Sequence, residues 1–518
     1  MAESRTQKSL LNAKVNAIFF ALTLVITFFS RKLFLESLGA EFIGFTGTLQ
    51  SILGILNLAE LGIGSAVSFA LYKPIHHNNN RKINQIVSIF GLLYHRVGLF
   101  ITTIAIIVSL FLPLIFHSAP FSLTLIYFAY YSFLGSSLIT YFCNYRSILL
   151  SADQKNYLVN VYFQSGNIIK TLFQLYLAIQ YTNYYVWVAL EFLYGISCCI
   201  ILNWKIKKVY PWLNANTQEG RIHLQQYPEI IVRTKQVFVH KLTDFLLGQS
   251  NQILIYLFVS LSMVAYYGNY AMIVCRSTAA LVFVLSSVSA AIGNLIAEDN
   301  RSKIIGVFWE LVSLRYFLAG ILMFGLYSFM QPLIILWLGE EYLLPQGILV
   351  MILIVEYVTV TSSAVSVYIA GYGLYADTWA AWLESGLNIS ISLIGGYYYG
   401  LYGILFGKIA SMVVVTVIWK PLYLYKVGFH EKYSNYWRGI LRFLVINFVS
   451  VSVGCGLISK YVSCKLLTSG YIVFFTYTTI LTLVFILFQF TLMYIFSTSF
   501  RSFVSRMINF SFYPKFKT

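Results

Sequence analysis

Charged residues stranded inside long apolar stretches are the side chains best placed for chemistry in this sequence. Arg276 sits in one such stretch, SMVAYYGNYAMIVCRSTAALVFVL (262–285), with no acid within a helical turn. A guanidinium lacking a local counter-charge is free to meet an anion, and its planar fork matches two phosphate oxygens at once. At helical spacing Asn269, Ser287 and Asn294 share its face. Lys241 and Asp244 lie three apart on a face with Gly248 and Gln252. They could serve a substrate and a coupling ion, or simply pair with each other. Three carboxylates also interrupt apolar runs: Glu60, Glu356 and Glu384. Such residues usually face a bundle interior or a watery path, because lipid does not solvate them. Glu356 and Glu384, together with Thr359, Ser363 and Asn388, could carry a proton or a sodium ion, or make interhelical hydrogen bonds. Glu60 shares an arc of about 80° with Gln50, Asn57, Gly64 and Ser68, which reads first as a small-residue packing seam. Arg96, beside His95, and Arg146 could contact lipid phosphates or be solvated interfacial charges.

No catalytic constellation accompanies these residues. There is no nucleophile elbow, no phosphate loop and no acidic pair at metal-ligand spacing. The two adjacent acidic pairs, Glu298-Asp299 and Glu340-Glu341, fall in connecting segments. The 6 cysteines lie in or beside apolar segments without metal-like spacing, as buried reduced thiols do. The chain is therefore read as no enzyme, with no cofactor beyond a coupling H+ or Na+.

The elements that must position such residues are membrane helices. With 59% hydrophobic and 10% charged residues, apolar runs of bilayer length recur from end to end. They are continuous rather than alternating, so they are helices and not barrel strands. The first, from Lys14 to Phe29, is followed by no small-residue cleavage site and reads as a span. The net charge of +17 suggests nucleic acid, but its placement argues otherwise. Lys and Arg gather in alternate loops, leaving Arg31, Lys32, Lys460 and Lys465 on the other side. That bias predicts about fourteen spans with both termini in the cytoplasm. The expected division is an N-terminal six-helix lobe (1–210), a cytoplasmic linker (211–236), a C-terminal six-helix lobe (237–430), and two further helices with a basic tail (431–518). A faint repeat supports it: QSGN (164–167) recurs as ESGL (384–387), and Trp204-Lys205 as Trp419-Lys420. An even number of spans per half makes the repeat parallel, with the substrate path between the halves.

Several motifs resemble the polysaccharide transporter family, the Wzx-type flippases of lipid-linked oligosaccharides or O antigen. This family shares a superfamily with lipid II flippases and multidrug-and-toxin-extrusion transporters. The matching residues are Arg31 with LGAEFIG (38–44), LAELGIGSA (58–66), LYKP (71–74), ADQKNY (152–157), His240-Lys241 and YYGNY (266–270). The resemblance covers most of the first eight spans. It implies an all-α polytopic membrane protein, with two lobes around a central cavity, that carries a polyprenyl-pyrophosphate-linked oligosaccharide across a bacterial inner membrane. It also implies that Arg276 and Arg31 meet the substrate. One departure stands out: where relatives place an aspartate in a TDN-like triplet, this chain has Ser250-Asn251-Gln252. Any ion-coupling role there would rest on Asn251 or move to Asp244. Expected partners are the lipid-linked oligosaccharide, membrane lipids, and the polymerase and chain-length proteins of the same pathway. The rival readings are a cation-coupled small-molecule exporter and a membrane polysaccharide polymerase.

Overall fold

The structure is a computed structural model that describes residues 5–56, 63–228, 230–231, 234, 250–286, 292–293, 295–296, 298–374 and 377–512. Among these residues there is no strand, and nine helices are long and apolar enough to cross a bilayer. The helices in order are α1 (Arg5–Leu38), α2 (Ala40–Leu56), α3 (Ile63–His76), α4 (Asn80–Ile115), α5 (Leu123–Cys143), α6 (Ile148–Ala152), α7 (Asn156–Tyr181), α8 (Tyr184–Val209) and α9 (Gly220–Leu224). They continue as α10 (Leu261–Ser286), α11 (Arg301–Trp337), α12 (Gln346–Gly371), α13 (Thr378–Tyr399), α14 (Leu401–Met412), α15 (Tyr433–Tyr461), α16 (Cys464–Leu467), α17 (Tyr471–Phe496) and α18 (Thr498–Phe512). Helices α7 and α10 have 26 residues and α13 has 22, enough to span at about 1.5 Å per residue. The chain divides into two compact units, Met1–Ala265 and Tyr266–Thr518.

In the first unit, α2 is built into an aromatic knot. Phe42 and Phe45 are fully buried. Phe42 stacks on Tyr184 at 4.4 Å and meets Trp187 edge-on, while Phe45 meets Phe116 at 5.2 Å. Between them, Gly44 lets the backbone of Leu261 approach so closely that a Cβ would stand 1.8 Å from its carbonyl oxygen. Close backbone contact at a small residue is how membrane helices gain packing energy without a hydrophobic drive between them. Polar clasps fix the helix ends: Asn12 donates to the Gln154 carbonyl at 2.7 Å and accepts from the Tyr157 amide at 2.6 Å, tying α1 to α7.

In the second unit, buried Phe308, Tyr316, Tyr368, Tyr425 and Phe429 form the larger core cluster. Phe324 stacks on Phe485 at 3.8 Å in a second cluster. Asn447 of α15 cross-links three helices: it donates to the Tyr316 carbonyl and to the Tyr357 hydroxyl, both at 2.9 Å, and accepts from Gln489. Helices α13 and α14 touch backbone to backbone, since a Cβ on Gly403 would lie 1.9 Å from the Gly395 carbonyl oxygen. Beyond Met412 the α14 axis continues through two wide turns, Val413–Trp419 and Leu424–Gly428, in which the hydrogen bonds reach one residue further than in an α-helix.

Candidate functional site

In the second unit, α10 carries Arg276 on an exposed part of its surface. The guanidinium makes no hydrogen bond or ion pair with any other described residue. Its neighbour Cys275 donates through sulfur to Oε1 of half-buried Glu356 at 3.6 Å. Lys408 of α14 is close enough to act on the same thiol electrostatically. Glu356 of α12 and Lys408 of α14 thus meet Cys275, the residue before Arg276 on α10. An exposed guanidinium with no partner among the described residues can take an anion.

A second polar centre of this unit surrounds Glu384, which is 7% exposed. Thr416, in the first wide turn after α14, donates to its Oε1 at 3.0 Å, and the Lys420 ammonium stands 3.9 Å from Oε2. One helical turn along α13, fully buried Asn388 accepts from Ser392 at 3.1 Å, while its own amide nitrogen finds no acceptor among the described residues. The wide turn sets Thr416 opposite Glu384, which is a local reason for the π-type geometry there. Asn388 and Glu384 share this centre, whereas Glu356 belongs to the one around α10.

The first unit treats its cations differently. Arg31 is half-buried and donates to the Ala265 carbonyl at 3.0 Å. Arg146 donates to the Ala215 carbonyl at 3.4 Å and lies over the Tyr145 ring at 5.4 Å. Arg96 is exposed and pairs with no other described residue. Asn251 is buried. Its neighbour Gln252 accepts from Ser51 of α2 at 2.9 Å, so the SNQ triplet is tied to α2 within the first unit. Glu60, Lys241 and Asp244 lie outside the described residues.

Three contacts of charged side chains escaped the sequence reading. Lys170 of α7 and Glu191 of α8 form an ion pair at 2.7 Å, with Gln174 donating to the same carboxylate at 3.1 Å. Their signal was present: opposite charges at similar depth on two helices joined by a tight turn. Glu191 lines a cavity of about 320 Å³ together with Gln50, Thr140, Asn144 and Tyr194. Arg315 of α11 is 1% exposed and donates to Ser363 at 2.7 Å and to the Leu311 carbonyl. Glu310, 7% exposed, accepts from Arg506 of α18 at 3.0 Å. The Arg315–Ser363 and Glu310–Arg506 contacts join residues far apart in sequence, so spacing alone could not reveal them.

No protein-family model matches the sequence, and a search of curated proteins finds no match. Solved structures do match. The chain is similar to the lipid II flippase MurJ in an inward closed conformation, with a TM-score of 0.66 at 14% identity over 92% of this chain and 98% of that one. It is also similar to an inward-facing multidrug resistance transporter of the MATE family, within the MOP superfamily, with a TM-score of 0.59 at 15% identity over 81% of this chain and 99% of that one. A MATE transporter of Vibrio cholerae, VcmN, gives 0.53 at 14% identity over 82% and 98%. The chain has the fold of these membrane transporters. At such identities the likeness carries the fold alone, and it agrees with the all-α polytopic architecture expected from the apolar runs.

Proposed function

We propose that the chain is a flippase that moves a polyprenyl-pyrophosphate-linked oligosaccharide, a repeat unit of O antigen, capsule or exopolysaccharide, between the leaflets of a bacterial inner membrane by alternating access. The observation that carries this reading is Arg276, an exposed guanidinium with no partner among the described residues, on a helix of membrane length. A pyrophosphate supplies the anion that such a group lacks, and bidentate contact would fix it. Arg31, Arg96 and Arg146 are secondary contacts for the head group, as is Lys241. An apolar groove of about 600 Å³ along α11, α12 and α15, lined by Met323, Val350, Leu444, Phe448 and Val451, suits a polyprenyl tail. The Glu384–Thr416 centre is the described place where a proton or sodium ion could be coupled, with Glu356, Asn251, Asp244 and Glu60 as the other candidates. Both termini lie on the cytoplasmic side in this reading.

A second reading, a cation-coupled exporter of small molecules, is supported by the likeness to the MATE transporters. The lipid II flippase matches a larger share of the chain, 92% against 81% and 82%, which favours the flippase. Reconstitution in vesicles with a fluorescent lipid-linked oligosaccharide, under imposed proton or sodium gradients, tests the choice. Gradient-driven movement of the oligosaccharide, lost in Arg276→Glu, is expected. Transport of cationic dyes with no movement of the lipid would select the exporter. Polymer synthesis without translocation would overturn both.

A further inference from the structure

We propose that α18, the helix that follows the last span, is an interfacial helix that binds the anionic headgroups of the leaflet beside it. Span α17 ends at Phe496, and a single residue later Thr498 opens α18. Ser497 fixes the break, its hydroxyl accepting from the Phe500 amide at 3.1 Å as a helix cap. With 15 residues, α18 covers about 22 Å, too short to cross a hydrocarbon core of about 30 Å, and it starts where the core ends.

On the helical wheel Phe500, Phe503, Val504 and Met507 share one face, with Ile508 beside them. The lobe covers that face first. Phe500 is 2% exposed and packs on Phe317 and Phe490 at 5.2 and 5.5 Å. Phe503 and Val504 are half-buried. One turn later the cover ends, and Met507 and Ile508 are 58% and 51% exposed. The exposed apolar strip continues that of α17, where Ile495 and Phe496 are 56% and 57% exposed.

Charge identifies the occupant. Residues 498–518 contain Arg501, Arg506, Lys515 and Lys517 and no acid. Arg501 and Arg506 flank the apolar strip on opposite sides, the arrangement in which cationic heads reach phosphates while the helix lies in the interface. Arg506 also clamps Glu310, yet its side chain is 58% exposed, so donors remain for a headgroup. An apolar strip edged by cations at a bilayer rim is complementary to an anionic lipid surface. A second protein would have to bring both acids and an apolar face.

Hydrogen exchange of the segment 498–512 tests this, with the full chain in nanodiscs of phosphatidylcholine alone or mixed with phosphatidylglycerol. Exchange is expected to slow in the anionic discs, to recover at high salt, and to lose its lipid dependence in R501Q/R506Q, each cation contributing about fivefold. Because R501Q/R506Q also strips Glu310 of its partner, E310Q is the control, and it should retain the lipid dependence. The variant M507S/I508S should weaken protection in both compositions. Equal exchange in the two compositions, or lipid dependence that survives R501Q/R506Q, overturns the proposal. Protection that appears only in discs holding two copies overturns it in favour of a self-interface.

Discussion

The two units bury charge in opposite ways. In the first, the cations are tied to protein: Lys170 to Glu191, Arg31 to the Ala265 carbonyl and Arg146 to the Ala215 carbonyl. Arg96 is exposed and stays apart from this network. In the second unit, Arg315 is buried on a hydroxyl and a carbonyl without a carboxylate among its described partners, and Arg276 has no partner among the described residues. Its buried acids are met from elsewhere in the unit, Glu310 by Arg506 and Glu384 by Thr416. A charge fully matched inside a lobe stabilises one arrangement, whereas an unmatched one has affinity left over for a ligand. By this measure Lys170, Arg31 and Arg146 are committed to protein, whereas Arg276 and Arg96, with no partner among the described residues, have affinity to spare.

Backbone packing does not share this asymmetry, and it supplies the largest expected effect. Gly44→Ala in the first unit and Gly403→Ala in the second each drive a methyl into a carbonyl oxygen that cannot swing away. Both should cost more than about 3 kcal/mol and leave little folded protein in size-exclusion chromatography. If one were tolerated, the units would differ in rigidity as well as in charge.

Charge pairing comes next. Lys170→Ala strands the Glu191 carboxylate, whose side chain is 17% exposed, with Gln174 alone. Removing one member of a pair as buried as this costs about 3 kcal/mol, visible as a lower melting temperature in detergent. The double variant K170M/E191L should recover most of the loss. In the second unit, Arg276→Ala should leave melting unchanged and weaken binding of a pyrophosphate-linked lipid by about tenfold or more, the worth of a charge-assisted contact. Equal melting losses for Lys170→Ala and Arg276→Ala would erase the contrast between the units.

Sequence alone carried the fold because apolar runs of bilayer length need no tertiary information, and α1, α4, α5 and α8 follow from them directly. Helices α7, α10 and α13 were legible too, as runs of spanning length that carry Lys170, Arg276 and Glu384. Arg276 was legible as a solitary cation because the absence of a nearby acid is a local property. Glu356 stood out as a membrane carboxylate, but its approach to Cys275 depends on the packing of α10 against α12. The clamp between Glu310 and Arg506 joins residues far apart in the chain, and no periodicity encodes that. The AEFIG motif was recognisable before its reason was visible: Phe42 fills the aromatic knot while Gly44 admits the Leu261 carbonyl.

The smallest effect tests the first unit at its polar rim. In the ADQKNY motif, Asp153 accepts from the Tyr210 hydroxyl at 2.7 Å and pairs with Lys155 at 2.7 Å, while Lys155 also lies over the Tyr210 ring at 5.0 Å. Burial first, and then the Asp153 charge, push the Tyr210 hydroxyl above its ordinary value of 10.0. A raised folded-state value means that the folded protein holds this proton more tightly than the unfolded chain does. The contribution is therefore complete below pH 10 and shrinks as pH rises beyond it. Tyr210→Phe should cost about 1 kcal/mol at neutral pH, because Asp153 keeps Lys155. The gap between wild type and Tyr210→Phe in melting temperature should then narrow above pH 10. A gap that stays constant into strong alkali would mean that neither burial nor Asp153 raises the Tyr210 hydroxyl in the folded protein, and the polar rim of the first unit would owe its hold to Asp153 and Lys155.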